Sequence, residues 1–424
     1  MKKILLLPVL CLVAFPAQAG DTLSLAHCWA LGEAAYPVTG NAPLLEEALQ
    51  LKIKTLHTNY YPRLSVTAQA SYQSDVTSLD LSALPFPMDM ASPAKDQYKI
   101  ALDVQQTIYD AGQTKHSQRV EELGTQEALW MNKADWHDRK QQIQQVYFAG
   151  LLYQSQKKIA SLLIATLQQN LAQAASAAAN GVLQPRDLHL LEVEKLNAEQ
   201  QLTEASFYFT ACLKMLEQFT QTAFPETAVL AIPETAGVTE VSTANRRAEW
   251  NVLEARKERL LAAKSLLAAE ITPRVGLFGQ AGYSRPGLNM LSNSFDPYYM
   301  VGVRVSWTPW NWGATQKSKK IQEVQAKIVG NQQSAFDEGV QAQAWNSRYE
   351  IAKQEQLMRQ DVQLVALRRQ ITQESASQMA NGVITAGDYI ADLNAEMIAR
   401  INGEIHLIRL AQACVELALI MNNE

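Results

Sequence analysis

The chain has 424 residues, of which 47% are hydrophobic and 19% are charged, and its formal net charge is −5. This mild acidity argues against nucleic acid as a partner. The six histidines and four cysteines form neither a CxxC nor an HExxH motif, which gives a metal site little support. Three cysteines, Cys28, Cys212 and Cys414, lie beyond the first twenty residues and are expected to be small buried hydrophobes.

Residues 1–19 have the pattern of a secretory signal peptide. A pair of lysines precedes an apolar segment at residues 4–15, and Ala17-Gln18-Ala19 is a small-x-small cleavage site. The mature chain is therefore expected to begin at Gly20. No later stretch of 18 or more residues is continuously apolar, so we expect an exported protein without a transmembrane helix.

Four short segments alternate between apolar and polar residues, the pattern of a strand with two different faces. They cover residues 62–74, 97–108, 273–285 and 298–308. Each has about the length of a tilted strand that crosses a bilayer. Lys99, Asp103 and Arg304 lie on the polar side, which would suit the water-filled lumen of a membrane barrel.

Large aromatic residues cluster at the ends of these segments. Membrane proteins carry such residues where the bilayer meets water. Packing in an ordinary core is the alternative. We expect the interfacial position for Tyr98, Tyr299, Trp307, Trp310 and Trp312.

The rest of the sequence predicts helices, two of them unusually long. Residues 112–179 and 313–379 contain no proline, and a narrow apolar stripe with polar flanks is typical of a coiled-coil seam. Each long helix is followed by a turn, Asn180-Gly181 or Asn381-Gly382. The return helices are expected at 182–219 and 383–421, and shorter helices at 42–58 and 245–269 precede the strand pairs.

The chain contains two copies of one structural unit. The two Asn-Gly turns are about 201 residues apart, and the same spacing separates Gly112 from Gly313, which open the two long helices. We expect a first repeat over residues 20–220, a connecting or equatorial segment over 221–244, and a second repeat over 245–424.

Four strands are too few to close a barrel, and an open sheet edge in lipid leaves backbone groups unpaired. Two copies of the chain would give eight strands and a filled interior, whereas three copies would give twelve and room for a wet pore. The predicted fold class is therefore mainly α with membrane β. A duplicated half-protomer contributes four β-strands to a trimeric 12-stranded outer-membrane barrel, which is continuous with a long periplasmic α-helical, coiled-coil barrel.

This ordered set of elements resembles the TolC-like outer-membrane factor family over essentially the whole mature chain. The marks are the duplication, the Asn-Gly-Val turns and the segment 245–274, which is similar to the family's pre-strand helix. The resemblance implies a homotrimer in the outer membrane with a large periplasmic extension, without enzyme activity or cofactor. It would dock with a periplasmic adaptor and an inner-membrane transporter and act as a passive conduit for small toxic compounds, drugs or metals. The alternatives are the exit duct of a type I protein secretion system and a periplasmic coiled-coil scaffold without a pore.

The resemblance also implies a periplasmic gate lined by acidic rings. The matching positions are Asp187 and Asp388, each six residues after a turn glycine, and Asp392 is a further candidate. Such a ring would favour cations. Capping of the return helices is the alternative role for Asp187 and Asp388. The resemblance also implies a tyrosine and arginine latch at the gate, but the matching positions here hold Met379 and Ile384. Arg186 is the candidate substitute.

Overall fold

A computed structural model describes residues 22–76, 94–180, 183–234, 247–289 and 292–421. The predicted signal peptide, the turn residue Gly181 and residues 235–244 of the predicted connecting segment lie outside these ranges. The described chain divides into two compact units. The helical unit contains the described parts of Met1–Thr39, Asp135–Arg247 and Gly339–Glu424, and the sheet unit contains those of Gly40–Ala134 and Ala248–Glu338. Each unit combines segments of both predicted repeats.

The described chain is mainly helical, as predicted. The elements of the first half are β1 (Thr22–Leu23), α1 (Leu25–Ala35), α2 (Asn41–His57), β2 (Arg63–Tyr72), β3 (Asp96–Tyr109), α3 (Gln113–Ala179) and α4 (Pro185–Thr220). Those of the second half are β4 (Val229–Leu230), α5 (Ala248–Ala269), β5 (Arg274–Arg285), β6 (Asp296–Ser306), α6 (Ala314–Ala380) and α7 (Ala386–Met421). The return helices α4 and α7 begin three residues later than predicted, because capping residues precede each first turn.

The four long strands form one antiparallel sheet in the order β2-β3-β5-β6. The central β3–β5 pair joins the two repeats. Its register aligns the apolar residues of all four strands, since Val66 pairs with Leu102, Leu102 with Ala281, and Ala281 with Tyr299. Side chains alternate between faces in a strand, so this register gathers the apolar residues on one face of the sheet.

The apolar face is not covered by any part of the described chain. Leu64 and Val66 of β2 are each 70% exposed, and Val301 and Tyr299 of β6 are 76% and 78% exposed. A contiguous exposed apolar surface of this kind marks contact with another protein or with lipid.

Each strand pair leads into a long helix through the same left-handed turn. Two successive residues have positive φ at each junction, Ala111 and Gly112 in the first repeat and Trp312 and Gly313 in the second. In the first repeat the Asp110 carboxylate accepts hydrogen bonds from backbone N–H groups at the start of α3, at 2.9 and 2.8 Å. The equally spaced sequence motifs are therefore strand-to-helix turns.

The helical unit has a core beneath a small parallel ladder of β1 and β4. The Tyr147 hydroxyl lies 2.6 Å from both the Leu23 and the Ala231 carbonyl oxygens. Gln154 exchanges two hydrogen bonds with the backbone of Leu230, at 3.0 and 2.8 Å. These bonds hold the described part of the predicted connecting segment against α3.

Candidate functional site

The second Asn-Gly turn ends α6 with a Schellman motif. Gly382 has a φ of 68°, and its N–H donates to the Met379 carbonyl at 3.0 Å. The N–H of Val383 donates to the Gln378 carbonyl at 2.9 Å. Glycine is favoured here because a Cβ destabilises the left-handed backbone.

The two turn asparagines cap their helices in the same way. The side-chain amide of Asn381 donates to the Ser377 carbonyl at 2.8 Å, and that of Asn180 donates to the Ser176 carbonyl at 2.9 Å. Gly181, the glycine of the first turn, lies outside the described residues. The repeat predicted from sequence therefore extends to side-chain hydrogen bonds at the ends of both long helices.

Asp388 closes the first turn of α7 in a capping box with Thr385. The Asp388 carboxylate accepts from the Thr385 N–H at 3.1 Å and from its hydroxyl at 2.7 Å. In return, the Asp388 N–H donates to the Thr385 hydroxyl oxygen at 3.2 Å. The hydrogen bonds from Thr385 lower the pKa of Asp388, and the bond from the side chain has a larger effect than the bond from the backbone. The side chain is also exposed, so this capping carboxylate faces solvent in the single chain.

Asp187 contacts the starts of both return helices. Its carboxylate accepts from the N–H of Gln184, the residue before α4, at 3.2 Å. The other oxygen accepts from the N–H of Ala386, the first residue of α7, at 3.3 Å. Negative charge is favourable at helix N-termini, where backbone N–H groups lack partners within the helix.

Asp392 lies between α6 and α7. Its carboxylate accepts a hydrogen bond from the Ser375 hydroxyl, and its carbonyl accepts one from Thr372 at 3.3 Å. The residue is half-buried, in contrast to the exposed Asp388. The three acidic candidates therefore share the turn region but have different surroundings.

A hydrophobic cluster fills the turn region behind these carboxylates. Met379 is buried together with Tyr389 and Leu393, and Ile384 packs against them. The side-chain amide of Asn170 on α3 donates to the Tyr389 hydroxyl, and burial raises the pKa of this phenol. Tyr389 is not among the residues predicted from the sequence, although it follows Asp388 directly on the apolar stripe of α7. Met379 and Ile384 thus belong to an apolar core.

On the polar face of the sheet, Gln280 connects the predicted charges. Its amide nitrogen donates to Asp103 at 2.5 Å, and Thr67 donates to the same carboxylate at 3.1 Å. Its amide oxygen accepts from Lys99 at 3.3 Å and from the Tyr298 hydroxyl at 3.1 Å. Sequence alternation placed Lys99 and Asp103 on this face, but only strand pairing brings Gln280 of β5 between them.

The five predicted interface aromatics are exposed in the single chain, from 43% for Tyr98 to 83% for Trp312. Trp307 lies just beyond β6, and its indole N–H donates to the Ile271 carbonyl at 3.0 Å. Trp310 and Trp312 pack edge to face with ring centroids 6.0 Å apart. None of the five therefore belongs to the core of the chain.

Among the described residues, no group of three or more His, Cys, Asp or Glu side chains is arranged to hold a metal ion. None of the described helices combines the length and the apolar character needed to cross a membrane. Cys28, Cys212 and Cys414 are free thiols, the first two buried and the third half-buried.

No protein-family model matches the sequence. The search of the curated proteins finds no relative. Solved structures are similar in fold. The outer-membrane channel OprN is 13% identical with a TM-score of 0.72, over 94% of this chain and 90% of that one. CusC is 11% identical with a TM-score of 0.71, over 96% and 95%. The CmeC outer-membrane channel of Campylobacter jejuni is 12% identical with a TM-score of 0.70, over 94% and 85%. The fold predicted from the resemblance is thus confirmed, and this chain has the fold of the TolC-like outer-membrane channels.

Proposed function

We propose that this protein is one subunit of a homotrimeric channel-tunnel in the outer membrane of a Gram-negative cell. It is a passive conduit for small toxic compounds, drugs or metals, which a periplasmic adaptor and an inner-membrane transporter deliver. The observation that carries the proposal is the uncovered apolar face of the four-stranded sheet. The fold shared with outer-membrane channels supports it.

The two faces of the sheet are suited to two different media. The apolar face exposes Leu64, Val66 and Val301, which lipid would cover at no cost. The opposite face carries Lys99 and Asp103 in a hydrogen-bonded network that water would solvate. Strands of 10 to 14 residues are long enough to cross a bilayer when tilted.

The two unpaired edges of the sheet favour a trimer. β2 and β6 are the outer strands, and each has one edge without a partner in the described chain. In lipid such an edge costs several kcal/mol for each unpaired group. β2 has 10 residues and β6 has 11, so β2 of one copy can pair with β6 of the next along its full length. Three copies then close a ring of about twelve strands around a pore.

A periplasmic coiled-coil scaffold without a pore is less well supported. Such a protein would share the long helices α3 and α6. In water, however, a sheet with an uncovered apolar face and two unpaired edges would promote aggregation. The helices also expose large apolar residues, Phe207, Tyr349 and Val362 among them, which packing between copies would cover.

Within this channel, we assign the cation-selective gate to Asp388. A threefold axis would turn its exposed carboxylate into a ring of three negative charges. Asp187 and Asp392 are half-buried and accept hydrogen bonds from Ala386 and Ser375, so they present less charge to ions than the exposed Asp388.

The test is to purify the full chain in detergent, measure its oligomeric mass, and record conductance in a planar lipid bilayer. A trimer with discrete single-channel steps is expected. A monomer that stays in solution without detergent and gives no conductance would refute the proposal. Deleting the gene should increase sensitivity to drugs or metals. Loss of a secreted protein with unchanged sensitivity would instead indicate a protein cargo.

A further inference from the structure

A cavity of about 400 Å³ lies on the polar face of the sheet, at the strand ends nearest the long helices. Three arginines line it, Arg63 of β2, Arg274 of β5 and Arg304 of β6. Its volume lies within the range of small-molecule sites. We propose that this cavity binds an anion in which a carboxylate or phosphate is attached to a flat apolar group.

Strand register places the three arginines at one end of the polar face of the sheet. Arg304 pairs with Gly276, and Arg274 pairs with Ser306, so both arginines point to the polar face at the end of the β5–β6 pair. Gly276 has no side chain to fill the space between the strands. A Cβ there would lie 3.1 Å from the Gln106 carbonyl oxygen, so backbone atoms line the cavity at this point.

The arginines have positive charge without acidic partners in the described chain. Arg63 donates a 3.5 Å hydrogen bond to the Asn59 side chain, and the Arg304 guanidinium stacks on the Phe278 ring. The carboxylate that lines the cavity, Asp110, already accepts two backbone N–H groups of the turn into α3. The cavity thus holds three permanent positive charges and one carboxylate engaged elsewhere, which favours an anionic ligand.

Phe278 gives the site its apolar wall. Its ring lies over Gly302, where an added Cβ would be 2.8 Å from two ring atoms. The Arg304 guanidinium carbon is 4.9 Å from the ring centroid. A guanidinium fork matches the planar carboxylate group and the tetrahedral phosphate, and the part of the Phe278 ring that lines the cavity offers apolar contact to a flat group beside Arg304. The combination selects an aromatic carboxylate or phosphate over a bare inorganic anion.

Isothermal titration of the full protein in detergent with salicylate, inorganic phosphate and neutral benzamide tests the site. Salicylate should bind more tightly than phosphate, and benzamide should not bind. Arg274→Gln and Arg304→Gln should each weaken salicylate binding about tenfold. Lys99→Gln removes the same charge from the same face outside the cavity and should leave binding unchanged. Since arginine does not titrate and the salicylate carboxylate is ionised throughout this range, the affinity for salicylate should be equal at pH 6 and pH 8.

Phe278→Ala separates the two parts of the site. It should weaken the binding of salicylate more than the binding of phosphate, because the ring contacts the aromatic ligand directly and otherwise only supports Arg304. Equal weakening by Lys99→Gln and Arg274→Gln would overturn the proposal, because the effect would then be one of general charge. Absence of salicylate binding to the unaltered protein would overturn it as well. The site lies within one chain, so conductance recorded for the same variants tests the channel separately.

Discussion

The carboxylate of Asp187 accepts a hydrogen bond from the backbone N–H of Ala386 at 3.3 Å, across 199 residues of sequence. Asp187 lies in the first turn of α4, and Ala386 is the first residue of α7. One acidic side chain therefore fixes two helix starts in the turn region. Its loss should loosen both repeats together.

Asp187→Ala should destabilise the start of α4 by about 0.5–2 kcal/mol, the usual cost of a lost capping group. It should also free the Ala386 amide. Hydrogen exchange followed by mass spectrometry should detect faster exchange in the segment that contains Ala386. Glu192→Ala removes an exposed carboxylate from the same helix and serves as the control. Unchanged protection in Asp187→Ala would show that this bond does not hold the turn region.

Asp388→Asn should reduce cation selectivity while leaving the helix cap in place. The asparagine oxygen can still accept from the Thr385 hydroxyl or N–H, but the charge is gone. Asp388→Ala removes the charge and the hydrogen bonds of the carboxylate to Thr385, so that only the bond from the N–H of residue 388 to the Thr385 hydroxyl oxygen remains in the capping box. The reversal potential in a salt gradient is the measurement, and both variants should shift it equally. A shift in the alanine variant alone would assign the effect to capping, and an unchanged potential in both would remove Asp388 from the gate.

Cation selectivity should persist as the pH falls from neutrality to about 4. The hydrogen bonds from Thr385 lower the pKa of Asp388 below its usual value of 3.8. A carboxylate with a depressed pKa in the folded state contributes its stabilisation above the unfolded pKa and loses it as the pH falls through the folded pKa. The cap and the charge should therefore be lost together below pH 3.8. A reversal potential that changes between pH 6 and pH 5 would assign selectivity to another group.

Val301→Lys should prevent stable insertion of the sheet. Val301 lies on the apolar face opposite Gly279, and a lysine near the middle of the bilayer costs about 2–4 kcal/mol. The amount of trimer recovered from outer membranes is the measurement. Met300→Lys is the matched control, because the neighbouring residue pairs with Gln280 on the polar face. Similar recovery of both variants would contradict the assignment of lipid to the apolar face.

Local sequence patterns were sufficient to predict which elements form and which face each element presents. The alternation in β2 and β6 and the apolar stripe of α7 are local patterns, because side-chain direction repeats every two residues in a strand and every 3.6 in a helix. The predicted duplication likewise rests on spacing alone, since equal spacings between turns can be recognised in the sequence without knowledge of the fold. The predicted starts of the return helices were less accurate, because the side chains of Gln184 and Thr385 cap the helices and so set where they begin.

Which distant residues come into contact depends on the tertiary structure. The pairing of β3 with β5 places Gln280 beside Asp103, and the turn region places Asp187 beside Ala386. These partners are 177 and 199 residues apart, and no local periodicity relates them. Strand register and helix packing fix such contacts only after the chain has folded, because they depend on burying apolar surface from distant segments at once. The same holds for the three arginines of the cavity, which come from three different strands.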